Sequence, residues 1–202
     1  MTPSLSVIIP SIARPSLVAT LDSIAAAGAG AKDEVRVVFD IDRQVVGAGE
    51  IAFTEAERQI GDALTRLAAS TAVLAISPAK KLGGWGGPAR ALGIREATGT
   101  HLVFIDDDDT YEPGALSAIR GIIATDPAAL HVWRMVARGG HVLWTDKHVR
   151  MGNIGTPMFA VPRQFAGTWT TRYEGDFDFA ADSLLRAGGQ VRWHEDVLVR
   201  CG

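Results

Sequence analysis

Four consecutive carboxylates, Asp106-Asp107-Asp108-Asp109, follow the apolar run Leu102-Val103-Phe104-Ile105 and are the stretch most suited to chemistry. An unbroken apolar run of this kind reads as a strand covered on both faces, as in a parallel sheet. Adjacent carboxylates are too costly to bury unpaired, so they are expected at the strand's carboxyl edge, where open α/β sheets bind ligands. Alternate residues of an extended segment share a face, which predicts that Asp106 and Asp108 converge while Asp107 turns away. Two converging carboxylates facing an anionic substrate make a hard-oxygen site for Mg²⁺ or Mn²⁺. The alternative is a solvated acidic loop or a helix N-cap, since Glu112-Pro113-Gly114 follows. A calcium EF-hand is excluded by spacing: the sixth loop position, counted from Asp106, is Tyr111 rather than glycine.

Two more stretches carry candidate chemistry. Lys80-Lys81-Leu82 leads into Gly83-Gly84-Trp85-Gly86-Gly87-Pro88, where glycines let backbone approach a ligand and Pro88 suits a first helical position. The Lys-Ser/Thr pair of a P-loop is missing, so this is a flexible turn or a loose phosphate cradle. Arg90 falls in the first turn of the next helix, where a cation opposes the helix dipole. A nearby anion would offset that; the alternative is an ordinary surface arginine.

The elements that must position these residues alternate. Residues 5–9 form a strand ended by Pro10, and an amphipathic helix through Leu17, Leu21, Ile24 and Ala25 ends at Gly28 and Gly30. Residues 35–39 are a second strand stopping at Asp40-Ile41-Asp42. After a turn at Gly47-Ala48-Gly49, Thr54 caps a helix to Ala69 with Ile60, Leu64 and Leu67 inward. Residues 71–76 are a third strand. This alternation predicts an α/β domain with a parallel central sheet flanked by helices. Beyond the aspartates come a helix over 114–125 and a hairpin of 132–137 with 141–145 around Gly139-Gly140. A strand-like segment at 157–161 and a helix over 176–187, with Phe177, Ala180, Ala181 and Leu184 on one face, follow. Short strands at 191–193 and 197–199 finish a region of mixed organisation.

Composition sets the class. With 202 residues, 47% hydrophobic and 21% charged, the chain suits one domain with a substantial core. A net charge of −3 argues against nucleic acid or an anionic membrane as the main partner. The single cysteine, Cys201, has no internal disulfide partner, which fits a reducing compartment. The sequence shows no signal-peptide pattern and no window of about 18 apolar residues, so the expected location is the cytoplasm, with peripheral membrane association left open.

Together these motifs resemble the inverting, family-two glycosyltransferases of the GT-A fold. Val7-Ile8-Ile9-Pro10-Ser11-Ile12-Ala13-Arg14 resembles the family's opening strand and turn, and Val37-Val38-Phe39-Asp40 its second-strand acidic end. Ala89-Arg90-Ala91-Leu92-Gly93-Ile94 and Ala97-Thr98-Gly99 through Asp109 are similar to the blocks that precede and contain its D-x-D motif. Gly175-Asp176-Phe177-Asp178 through Gly188-Gly189 resembles the helix carrying its catalytic base.

The resemblance implies a single GT-A domain over 1–202, Rossmann-like, with a nucleotide-sugar half (1–110) and a small mixed acceptor half (111–202). It implies a hexosyltransferase-type activity that moves a sugar from a nucleoside diphosphate, UDP being the commonest, to a glycan, lipid-linked or small-molecule acceptor. Asp176 would be the base. Pro10, Ser11, Arg14, Asp40, Lys81, Arg90, Asp106 and Asp107 would contact the donor nucleotide. Asp108 would hold Mn²⁺ or Mg²⁺, and His194 stands where a further metal or phosphate ligand occurs in some such enzymes; beside Trp193, packing is its alternative. The chain departs from the family pattern at Ile12, Phe39, Ala91 and Gly175. A small acceptor half would fit an open site or completion by a second copy.

Two other classes compete. Val37 to Asp42 also resembles the first motif of haloacid-dehalogenase-type phosphatases, with Asp40 as nucleophile and Asp42 as acid/base. Ser77, Lys81 and Asp106-Asp107 would supply its later motifs, although Arg43-Gln44 departs from it. An inactive nucleotide-sugar-binding subunit is the third reading, given Gly175.

Overall fold

The computed structural model describes residues 3–41 and 54–202; Asp42, Arg43-Gln44 and the turn expected at Gly47-Ala48-Gly49 lie outside them. Strand β1 (Leu5–Ser11) is buried at every residue, so both faces of the sheet are covered at this point. It pairs in parallel with β2 (Glu34–Phe39), matching Val7 to Val35, and β2 pairs in parallel with β3 (Ala72–Ile76). Helix α1 (Leu17–Ala26) buries Leu17, Thr20, Leu21 and Ile24. Helix α2 (Glu55–Ala68) buries Ile60, Ala63 and Leu67 and starts with a full capping box between Thr54 and Glu57. Helix α3 (Gly87–Glu96) crosses β1 closely. A Cβ at Gly93 would sit 2.6 Å from an Ile8 methyl, so only glycine fits there.

Strand β4 (His101–Phe104) completes the parallel half, aligning Val103 with Val7. The sheet then changes character. The two-residue β5 (Thr110–Tyr111), α4 (Ala115–Thr125), β6 (Leu130–Val136), β7 (Val142–Leu143), β8 (Phe159–Pro162), α5 (Gly175–Arg186) and β9 (Val191–Arg200) follow in order. Strand order is β3-β2-β1-β4-β8-β6-β9-β5, with β7 paired to β6. Strand β8 runs antiparallel to both β4 and β6, whereas β6 and β9 are parallel. The hairpin expected around Gly139-Gly140 is formed by β6 and β7, and both glycines have positive φ, 90° and 86°.

Two expectations change. The final strands are one continuous strand, β9, because register shifts opposite Val132–Met135 absorb the polar interruption at His194-Glu195-Asp196. Helix α5 is rotated relative to the expected face: Ala180 is buried as expected and Leu184 is partly buried, but Phe179 and Ser183 take the buried positions rather than Phe177 and Ala181. Phe179 stacks on Trp169 at 4.7 Å and meets Phe104 edge-on at 5.1 Å, which pins α5 to β4. Ser183 is tolerated in this core because its hydroxyl accepts from the Gly167 amide. Among the described residues no helix is long and apolar enough to cross a membrane.

Candidate active site

A cavity of about 740 Å³ opens where the parallel strands end. Its floor comes from the ends of β1 (Pro10, Ser11, Ile12), β2 (Asp40) and β4 (Asp106, Asp107, Asp108). One wall is the glycine-rich loop with Lys81, Gly83 and Trp85, together with Arg90 of α3; the other is the segment from Trp169 to Asp176. Arg14 lines it as well. Of the residues that the glycosyltransferase resemblance marks as donor, metal or base positions, all but His194 are among those lining it.

His194 is a correction. It lies on β9 against His131 near the start of β6, ring over ring, with Nε2 of His194 3.0 Å from Nδ1 of His131. Met135, four residues further along β6, is the residue that reaches the cavity. A strand rises about 3.3 Å per residue, which puts His131, and the His194 ring against it, about 13 Å along β6 from Met135. Burial depresses the basicity of His101, His131 and His194, with His131 brought down to about 4. Packing is the role the structure gives His194.

The aspartates do not alternate as an extended strand would require. Strand β4 stops at Phe104, and residues 107–108 form a turn closed by the Asp109 amide donating to the Asp106 carbonyl at 3.1 Å. Asp106, Asp107 and Asp108 therefore all face the cavity. Asp107 is nevertheless buried, and it is tied down: Ser11 Oγ and the Ile12 amide both donate to its Oδ2, at 2.8 and 3.1 Å. Burial raises its carboxyl above the ordinary value, and the Ser11, Ile12 and Arg14 interactions oppose that. Asp109 points the other way, into the protein. Burial first, then the charge of Asp106, push its carboxyl up to about 6 against the Cys201 thiol and the Gly202 amide, which donate to it. The expectation that no member of the run is buried fails for Asp107 and Asp109, because hydrogen bonds satisfy them.

Cations answer the remaining carboxylates. Arg90, 5% exposed, forms an ion pair with Asp106, donates from Nη1 to the Trp85 carbonyl at 3.0 Å and lies over the Trp169 ring at 4.6 Å. The anion its helix position calls for is thus Asp106. Arg14 pairs with Asp108 at 2.8 Å through a side chain that is 47% exposed. Asp40 is fully engaged, accepting from the amides of Leu82 and Gly83, so it holds the start of the glycine-rich loop. Asp106 and Asp108 offer partly exposed carboxylate oxygens, a donor set that fits a hard divalent cation completed by substrate phosphates. No group of three or more His, Cys, Asp or Glu with metal-binding geometry occurs among the described residues.

Asp176 sits in the first turn of α5, and the N-cap is Glu174, so helix capping does not account for Asp176. Burial raises its carboxyl above the usual range, opposed by the Phe177 amide and the Arg90 charge and assisted by Asp106. Asp178 is occupied elsewhere, accepting from Thr170 Oγ1 at 2.7 Å. Trp169, Thr170 and Tyr173 were not legible as site residues. Their signal is weak, since they lie in a segment without regular structure whose place beside the cavity depends on Phe179 and on the close contact of Gly87 with Thr170.

A sequence profile described as Glycosyl transferase family 2 matches residues 77–182, more than half of the chain. Among solved structures, S. aureus TarS 1–349 resembles this fold with a TM-score of 0.75 at 16% identity, covering 98% of this chain and 60% of that one. The same fragment in complex with UDP gives 0.77 at 16%, covering 98% and 60%. In complex with UDP-GlcNAc it gives 0.74 at 16%, covering 98% and 58%. This chain therefore spans less than two thirds of those structures, and the likeness is one of fold: the GT-A type, a curled α/β sheet flanked by helices. A search of curated proteins found no match.

Proposed function

The chain belongs to glycosyl transferase family 2, and we propose that it moves a sugar from a nucleoside diphosphate donor to an acceptor hydroxyl with inversion. The observation that carries this reading is the grouping of Asp176, Arg90, Asp106 and Asp108 around one cavity at the carboxyl edge of the sheet. UDP is the donor nucleotide put forward, supported by the UDP and UDP-GlcNAc complexes of the similarly folded TarS. Asp108 and Asp106 would hold Mn²⁺ or Mg²⁺, which when bound supplies positive charge against the departing diphosphate. Arg90 holds Asp106 in place, and Asp40 fixes the loop through which Lys81 reaches the donor. Asp176 accepts the proton as the acceptor oxygen bonds to the anomeric carbon and the bond to the diphosphate breaks. Its raised proton affinity brings it closer to the range in which a general base works well.

The phosphatase alternative needs Asp40 as a free nucleophile, and the two loop amides bound to its carboxylate argue against that. The test is calorimetric titration of UDP with and without Mn²⁺. Wild type should bind appreciably tighter with the metal, and Asp108→Ala should abolish the difference. Asp107→Ala should instead lower stability, because it leaves Ser11 and the Ile12 amide without their partner. Metal-independent UDP binding of equal strength in wild type and Asp108→Ala would remove the metal from this account; no UDP binding at all would remove the donor.

A further inference from the structure

The mouth of the cavity displays two aromatic rings that the chemistry above leaves unused. Trp85 is 70% exposed and Tyr173 74%, whereas Trp133, Trp144 and Trp169 are all buried. The two rings meet edge to face, centroids 5.2 Å apart and planes at 84°, so they form a right-angled corner. Trp85 also has a left-handed backbone, φ 53° and ψ 32°, which a bulky side chain disfavours.

This geometry is held rather than loose. Arg90 binds the Trp85 carbonyl, tying the ring's backbone to the Arg90–Asp106 pair. Gly87 packs so tightly on the Thr170 carbonyl that a Cβ would stand 2.1 Å from that oxygen. The two loops bearing the rings are therefore fastened to each other, and a disfavoured conformation is maintained where the ring gains little from burial. An unfavourable backbone that presents an unburied aromatic is accounted for by a ligand surface.

We propose that Trp85 and Tyr173 form a subsite for a pyranose ring of a carbohydrate acceptor, a proposal that rests on the glycosyltransferase reading. A pyranose has a face of C–H groups and a rim of hydroxyls. The electron-rich face of one aromatic ring attracts the C–H face, as it attracts the positive edge of another ring. The perpendicular second ring closes one side of the sugar. A nucleobase, which is flat, would be better served by parallel rings. Arg172 and Glu174 flank Tyr173, pair at 3.4 Å and line the same cavity, so they can hydrogen-bond the hydroxyl rim. Tyr173 is three residues before Asp176, which sets the subsite beside the carboxylate that takes the acceptor proton.

The experiment is a screen of an immobilised saccharide array with the full chain, with and without saturating UDP, followed by calorimetric titration of the strongest saccharide. Wild type should bind at least one pyranose-containing saccharide. Trp85→Ala and Tyr173→Ala should each weaken it about tenfold or more, Trp85→Phe should restore it to within about threefold, and UDP affinity should change less than about threefold throughout. Tyr173 is exposed, so its substitution tests the proposal even if Trp85→Ala perturbs the loop. Binding of no saccharide by wild type overturns the proposal, as does an equal loss of UDP and saccharide binding, which would assign the rings to the nucleobase. Saccharide binding that depends on Trp85 in a chain that fails to bind UDP would keep the subsite and sink the transferase reading.

Discussion

At the amino end of the parallel strands, Glu34 accepts from Ser6 Oγ, the Thr98 amide and Thr98 Oγ1 and pairs with Arg36 at 2.5 Å. Asp33 beside it accepts from the Leu5 and Gly30 amides and from Arg120. At the carboxyl end, Asp106 and Asp108 have arginines as their main partners, and both carboxylates keep a quarter to a third of their side-chain surface open. The first arrangement ties strands and loops together through backbone amides and enclosed side chains around closed-off carboxylates. The second pairs charges at the wall of a cavity, where an incoming phosphate or cation can replace a partner. Similar side chains thus lock one end of the sheet and equip the other, and what separates these pairs is whether the carboxylate is closed off, as in Asp33 and Glu34, or left partly open, as in Asp106 and Asp108.

That contrast is sharpened first by removing a lock. Glu34→Ala leaves Arg36, Ser6 and Thr98 without their acceptor and should cost about 3–5 kcal/mol in urea unfolding. UDP affinity per folded molecule should not change.

Acid offers a second route to the same end. Burial pushes the Glu34 carboxyl up, but bonds from Arg36, Ser6 and Thr98 outweigh it and bring it down to about 2 from 4.5. A carboxyl depressed in the folded state contributes stability above its unfolded value and loses it as pH falls toward 2. The loss should reach about 3 kcal/mol and should be missing from Glu34→Gln.

Asp109 should behave with opposite sign. Its folded carboxyl sits at about 6, above the ordinary 3.8, so the folded state holds the proton more tightly. Its contribution is most favourable below about pH 4 and is lost as pH rises through 6. Asp109→Asn should therefore gain on wild type by up to about 3 kcal/mol between those limits in pH-resolved denaturation. No such gain would mean the buried carboxylate is better solvated than its hydrogen bonds indicate.

The smallest expected stability effect is Arg14→Ala. Its exposed pair with Asp108 should be worth no more than about 1 kcal/mol. A larger loss would mean that the carboxyl end is locked as firmly as the amino end.

The legibility of the sequence follows the same division. The parallel half could be read because continuous apolar runs, Thr54 with its capping partner Glu57, and acidic strand ends are local signals. Nearly all the candidate residues from that half do meet around one cavity. The turn at residues 107–108 was hidden because nothing in a run of four aspartates marks where extension ends. His194 was misplaced because its partner, His131, is 63 residues away and comes together with it only through β6–β9 pairing. The rotation of α5 was equally non-local, set by Phe104 and Trp169 receiving Phe179 rather than Phe177.

The central claim, that Asp176 takes the acceptor proton, is tested most directly by Asp176→Asn. The substitution keeps the shape of a residue that the structure does not use as the helix cap. Nucleoside diphosphate release with a working acceptor should fall by about 10²-fold or more while donor affinity and melting temperature stay near wild type, since asparagine accepts no proton. Turnover close to wild type would contradict the account and turn attention to Glu174, another carboxylate lining the cavity.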